Sequence, residues 1–191
     1  NDAAVDPAGR LWAGTMNESD PDATDGCLYR LDPDLTVRQV SCGFTISNGI
    51  GWSPDKKTMY FADTSRRVIW AYDYDLDSGG ITNRRPFATV AQGAGVPDGL
   101  TVDADGFVWS AHWGGWRIGR YDPAGELVLE VKLPVENVTS CAFAGNGLDE
   151  LYITTARIGL SEDERKNQAL AGALFSVKMD LKGQVEYHFR G

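Results

Sequence analysis

The feature that most constrains this chain is one hairpin written four times. Its clearest copy is Ser47 to Thr64, SNGIGWSPDKKTMYFADT. A polar entry, Ser47-Asn48-Gly49, leads into a short strand, Ile50 to Trp52. Ser53-Pro54-Asp55-Lys56 is a turn cluster, and Thr58 to Ala62 is a second strand rich in β-formers. The same grammar runs from Asn1-Asp2 through Asp6-Pro7-Ala8-Gly9 to Leu11-Trp12-Ala13-Gly14-Thr15. It runs again from Pro97-Asp98-Gly99 through Asp103-Ala104-Asp105-Gly106 to Phe107 and its followers, and from Thr139-Ser140 through Ala144-Gly145-Asn146-Gly147 to Leu151 and its followers. The copies start at Asn1, Asn48, Asp98 and Thr139. A period of about 40–50 residues in an all-β chain points to propeller blades.

Each copy continues with two more candidate strands. These are Cys27 to Leu31 and Val37 to Val40, Val68 to Tyr74 and Arg85 to Val90, Arg117 to Tyr121 and Leu127 to Leu133, and Ala173 to Val177 and Val185 to Phe189. Four four-stranded blades, at about residues 1–46, 47–96, 97–136 and 137–191, therefore consume the chain as a single all-β propeller domain. Antiparallel strands alternate direction, so the start of the first strand and the end of the second share one face of the disc. Asn1, Asn48, Asp98 and Thr139-Ser140 are thereby expected to ring one mouth of a central channel. Trp12, Tyr60, Trp109 and Tyr152 recur at matching places and are expected in the core. One stretch breaks the β pattern: Ser161-Glu162-Asp163-Glu164 has capping-box spacing and predicts a short helix over Ser161 to Leu170, on the mouth side.

Composition narrows the chemistry. A net charge of −9 argues against a nucleic-acid or anionic-membrane partner. No apolar run approaches the roughly 18 residues of a membrane span. The three cysteines, Cys27, Cys42 and Cys141, are odd in number and form no CxxC pair. They read as free thiols in a reducing compartment, and hence as a cytoplasmic chain. With only His112 and His188 available, a multi-histidine zinc site is excluded, and no GxSxG elbow exists. What converges on the expected mouth is oxygen chemistry: the Asn48 amide, the Asp98 carboxylate, Asn1 and Asp2. Such donors suit a hard divalent cation such as Ca²⁺, Mg²⁺ or Mn²⁺. Taken singly, Asn-Gly and Asp-Gly are turn signatures; their equivalent placement in consecutive blades favours a site. His112, Trp113 and Trp116 fall at the rim, where aromatic faces could pack on a sugar.

Several of these segments together resemble one family. Asn1-Asp2-x-x-Val5-Asp6-Pro7-x-Gly9-Arg10-x-Trp12-Ala13-Gly14-Thr15-Met16 is similar to the NDGxxDPxGRxWxGTM signature of the SMP-30/gluconolactonase/regucalcin family. Ser47-Asn48-Gly49-Ile50-x-Trp52-Ser53, Tyr60-Phe61-Ala62-Asp63-Thr64, Val96-Pro97-Asp98-Gly99 and Leu133-Pro134-Val135 with Thr139-Ser140-Cys141-x-Phe143 resemble further family segments, in order along the chain. The resemblance implies a six-bladed propeller of which four blades are present here, the N-terminal ones being absent from the sequence. It implies one divalent metal (Ca²⁺, Zn²⁺, Mn²⁺ or Mg²⁺), a small-molecule sugar lactone as substrate and a monomer at full length. By motif, Asn48 and Asp98 would be metal ligands, with Asp98 also the general base. Asn1 would bind substrate, Glu18 is the nearest counterpart of a substrate-side family carboxylate, and Asp2 would support the site through water; His112 joins the substrate-binding set from its expected place at the rim. The family's metal-binding Glu and substrate-binding Arg fall outside the sequence, and the family glycine after Asn-Asp is Ala3. The rival readings are a non-catalytic Ca²⁺-binding regulatory protein and a hydrolase of other esters or phosphotriesters.

Overall fold

The computed structural model describes residues 1–191. It is an arc of four antiparallel blades. The first contains β1 (Ala3–Val5), β2 (Leu11–Gly14), β3 (Gly26–Leu31) and β4 (Val37–Phe44). The second contains β5 (Ser47–Trp52), β6 (Thr58–Asp63), β7 (Val68–Tyr74) and β8 (Ile81–Thr89). The third contains β9 (Val96–Val102), β10 (Val108–Trp113), β11 (Arg117–Tyr121) and β12 (Leu127–Lys132). The fourth contains β13 (Val138–Ala144), β14 (Glu150–Thr155) and β15 (Phe175–Lys178). Within each sheet the strands pair in chain order, so β1, β5, β9 and β13 lie innermost.

The core lies between blades. Trp12, Phe44, Trp52, Phe61 and Tyr74 pack together where the first blade meets the second. Tyr60, Ile69, Leu100, Val108 and Tyr121 fill the next boundary, and Trp109, Ile118, Phe143 and Ile153 the one after. Trp12, Tyr60 and Trp109 each face the following blade, as their recurrence predicts. Tyr152 occupies the same place in a blade that no other blade follows in this chain, so it is only partly buried and bonds Glu150 Oε2 instead.

The far-face turns carry a device repeated in the first and third blades. The buried carboxylate of Asp6 accepts from the Trp12 indole N–H at 3.0 Å and from the Tyr74 hydroxyl at 2.8 Å. Asp103 accepts from the Trp109 indole at 2.9 Å and from Arg120 Nη2 at 2.7 Å. A carboxylate six residues before a core tryptophan thus closes the turn and satisfies the indole, so neither buried group is left unpaired.

Three expectations are corrected by the coordinates. Val185 to Phe189 alternates like an outer strand but forms none. The Met179 N–H bonds Asp149 O and the Gly183 N–H bonds Leu148 O, which ends β15 early. The chain then crosses the far face: Ala104 N–H bonds Lys182 O, Gln184 Nε2 donates to Trp52 O and Val102 O, and Arg190 N–H reaches Gly9 O. Cys27 and Cys42 are not free thiols. They are direct partners across β3 and β4 and form a disulfide, leaving only the buried Cys141 as a thiol. That pairing removes the ground for inferring a reducing compartment. No helix is long and apolar enough to cross a membrane. The predicted helix is present but shorter, α1 (Glu162–Asn167), with both halves of the capping box made between Ser161 and Glu164.

Candidate functional site

At the near-face mouth of the channel, a cavity of about 560 Å³ is lined by Asn1, Asn48, Thr64, Ser65 and Asp98, together with Met16, Ile46, Val96, Trp113 and Ile158. Three inner strands, in three blades, therefore deliver Asn1, Asn48 and Asp98 to one space. Asn48 and Asp98 lie within β5 and β9, and neither Gly49 nor Gly99 has a positive φ. These are not turn dipeptides. The glycines are needed because inner strands approach closely: a Cβ on Gly49 would overlap the Leu100 backbone nitrogen, and one on Gly99 would overlap the Ser140 side chain. Asn-Gly and Asp-Gly thus combine a side chain aimed at the mouth with a bare backbone against the next blade.

A hydrogen-bonded chain fixes the Asn48 amide. Thr64 is buried, and its hydroxyl donates to Pro97 O at 2.8 Å. Its remaining lone pairs accept from Asn48 Nδ2 at 2.9 Å. Oδ1 of Asn48 is therefore turned away from Thr64, where it accepts from Asn1 Nδ2 at 2.7 Å. The same Asn1 amide also donates to Ser47 O at 2.8 Å. Thr64 thus joins the strand carrying Asn48 to the residue preceding Asp98. Thr64 closes the Ser47 to Thr64 hairpin, just past the second strand, whose end shares a face with the start of the first; sequence reading assigned no role to it. The signal was available, since it follows β6 at the point where β5 begins.

Asp98 is half-buried, and no basic side chain pairs with it. Burial, then the nearby Asp2 carboxylate, push it up to about 7, while the Gly99 backbone N–H acts in the opposite sense. Asp2 lies one layer deeper, in a second chamber of about 210 Å³ that it shares with Ser140 and with Glu186 of the crossing tail. Burial raises Asp2 as well. An amide oxygen and an unneutralised carboxylate facing one cavity are the donor types a hard divalent cation takes, so the residues present fit such an ion as part of a coordination sphere. They do not complete one: no group of three or more His, Cys, Asp or Glu side chains in the chain is placed to hold a metal ion.

Two expected contacts lie elsewhere. His112 is fully buried rather than at the rim. Its Nε2 meets the Tyr121 hydroxyl at 3.1 Å, and its Nδ1 receives Arg117 Nε at 3.0 Å. Burial, then the Arg117 charge, lower it to about 4. The strand pleat turns His112 inward and its neighbour Trp113 into the cavity. Glu18 is exposed on the loop between β2 and β3 and does not line the cavity. That loop arches to the mouth, where Ser65 Oγ donates to Pro21 O at 2.9 Å. The apolar lining residues Ile46, Val96 and Ile158 were not singled out from sequence, because nothing in their types distinguishes a cavity wall from a core.

Comparison with known proteins gives the family. The model of the SMP-30/gluconolactonase/LRE-like region matches residues 1–157. Regucalcin of Danio rerio is 40% identical over 194 residues, covering 100% of this chain and 66% of its own length. Pentonolactonase XacC of Haloferax volcanii is 39% identical over 191 residues, covering 98% of this chain and 65% of its own. The crystal structure of a calcium-binding protein, regucalcin, from Agrobacterium tumefaciens superposes with a TM-score of 0.94 at 30% identity, over 100% of this chain and 64% of that one. The chain thus spans just under two-thirds of the curated relatives it matches. Its inner-strand motifs, blade architecture and overall similarity agree, and the chain belongs to the SMP-30/gluconolactonase family.

Proposed function

We propose that this chain carries the general base and two of the metal-holding oxygens of a sugar-lactone hydrolase. The observation that carries the reading is the convergence of Asn1, Asn48 and Asp98, from three blades, on one cavity at the channel mouth. The pentonolactonase among the relatives supports lactones as the substrate class.

A divalent cation held by Asn48 Oδ1 and the Asp98 carboxylate (Ca²⁺, Mg²⁺, Mn²⁺ or Zn²⁺) would supply Lewis-acid polarisation of the lactone carbonyl. Asp98 takes a proton from the attacking water as its oxygen bonds the carbonyl carbon. The ring C–O bond then breaks, and the departing alkoxide is protonated to give the open hydroxy acid. Asn1, already held by Ser47 O and Asn48, orients a substrate hydroxyl with its amide. Asp2 sustains the basicity of Asp98 from the chamber below. Glu18 stands on the rim loop outside the cavity and takes no part in this reading.

The test is to strip the protein with chelator and follow acid release from glucono-1,5-lactone and pentonolactones as each cation is restored. Metal-dependent turnover that is lost in Asp98→Ala is expected. Failure to hydrolyse any lactone with any of the four cations would sink the proposal. The calcium-binding relative favours one second reading, a Ca²⁺-binding regulatory protein. Under that reading Ca²⁺ binds with no turnover, whereas a lactonase loses turnover in Asp98→Asn while retaining part of its affinity for the ion.

A further inference from the structure

A separate cavity of about 380 Å³ lies at the near-face end of the third blade. Its walls come from β11, β12 and the segments before β9, before β11 and after β12, and the third blade is packed between the second and the fourth. Its size is that of a small-molecule site, about 300–1,000 Å³. The turn from β10 to β11, Trp113-Gly114-Gly115-Trp116, shapes it. A Cβ on Gly115 would stand 2.6 Å from Ala94 O, so glycine is what lets the turn lie this close to the segment before β9. Trp116 then takes a φ of 58°, a costly conformation for a bulky side chain. Two backbone hydrogen bonds hold it there: its N–H donates to Glu136 O at 3.1 Å, and its carbonyl accepts from the Leu133 N–H at 2.8 Å. The side chain so presented lines the cavity and is 42% exposed. Core packing does not account for a tryptophan in that position.

Three charged side chains line the same cavity. Arg117 of β11 and Lys132 of β12 are cross-strand partners, and Glu130 lies two residues from Lys132 on the same face of β12. Like charges directly opposite one another destabilise a sheet, and an anion shared between them removes that cost. Arg117 is fixed in place: its Nε donates to His112 Nδ1 at 3.0 Å, and its Nη1 donates to Glu130 Oε1. Glu130 thus offsets one of the two cations, which leaves a local excess of one positive charge in a chain whose net charge is −9. We infer that this cavity binds a sugar acid, a ligand with one carboxylate and a hydroxylated carbon body. The carboxylate is taken between Lys132 and Arg117. Glu130 would only hinder a bare anion, but it suits a ligand that also brings hydroxyl donors. The Trp116 ring covers the C–H face of the sugar. An excess of one charge matches a monoanion, whereas a phosphate dianion would be repelled by Glu130. None of these residues lines the mouth cavity, so the inference stands apart from the lactonase reading.

The experiment uses the complete protein, stripped of divalent cations with chelator so that the mouth holds no ion, and titrates D-glucuronate by calorimetry at low salt. Saturable binding is expected, with D-glucose, which lacks the carboxylate, and glucose 6-phosphate each about 10-fold or more weaker. Lys132→Glu and Trp116→Ala, both at exposed positions, should each weaken glucuronate about 10-fold or more. Lys132→Arg should keep most of the affinity, and Asp98→Ala should leave it unchanged. Absence of saturable glucuronate binding overturns the inference. Binding that survives both Lys132→Glu and Trp116→Ala overturns it too, as does binding lost in Asp98→Ala, which would put the ligand in the mouth. Glucose 6-phosphate bound as tightly as glucuronate would also overturn it, in favour of a phosphate site. Lactone turnover is read separately, and its absence leaves this site standing.

Discussion

Asn1 and Asn48 come from different blades, 47 residues apart in sequence, and meet side chain to side chain, with Asn1 Nδ2 donating to Asn48 Oδ1 at 2.7 Å. The oxygen offered to the cavity is thus shared with the residue expected to hold substrate. What keeps it facing that way is the opposite end of the Asn48 amide, bound to Thr64.

Removing the Thr64 hydroxyl should therefore weaken the site while leaving both proposed cation-holding side chains, Asn48 and Asp98, in place. In Thr64→Val, Asn48 Nδ2 and Pro97 O lose a partner each, and the amide is free to rotate. Cation affinity, measured by calorimetry, should fall about 10-fold, the consequence of disturbing a group that orients a ligand. Thr64→Ser should restore most of it. Unchanged affinity in the valine variant would deny Thr64 its positioning role.

Gly49 and Gly99 should tolerate no side chain. Adding a methyl group at either drives β5 from β9, or β9 from the Ser140 segment. Gly49→Ala and Gly99→Ala are each expected to cost about 1–3 kcal/mol in denaturant unfolding. Alanine at Gly43, where the new methyl would meet open space, serves as a contrast because its φ is positive at 89° and its penalty is conformational alone.

His112 sets a pH dependence of stability. Its folded pKa, about 4, lies below the unfolded value of 6.5, so the unfolded chain binds the proton first as pH falls. The contribution is fully present above pH 6.5 and is lost on the way down to about 4. The slope approaches 1.4 kcal/mol per pH unit between those limits. Melting curves between pH 7 and 5 should flatten in His112→Gln relative to wild type. Parallel profiles would show that the imidazole is not held neutral.

The cysteine pairing is directly countable. Unfolded without reductant, the protein should present one reactive thiol, Cys141, and three after reduction. Three thiols before reduction would return Cys27 and Cys42 to the unpaired state. A closed loop of this length adds roughly 3 kcal/mol, so reduction should lower the melting temperature measurably.

The sequence by itself determined the propeller, because strand alternation, turn residues and a fixed period are local properties that recur without knowledge of what packs where. It also determined that Asn48 and Asp98 occupy equivalent inner-strand positions, since equivalence within a repeat is a matter of counting. Tertiary structure alone decided what lies beside them. Whether His112 or Trp113 faces the cavity turns on the pleat of β10 and on the bulge between Ser110 and His112, which shifts the register. Whether Val185 to Phe189 forms a strand depended on competition: its alternating pattern suits an outer edge, but the backbone of Lys182 and the side chain of Gln184 find partners on the third and second blades instead. Cys27 and Cys42 look unrelated at a separation of 15 until β3 and β4 pair and set them opposite one another. The apolar part of the cavity wall near Asp98 is likewise assembled from segments far apart in sequence, Met16, Ile46, Val96, Trp113 and Ile158, whose types mean core in one setting and cavity wall in another. Only the distance between inner strands, which a linear pattern does not contain, distinguishes the two.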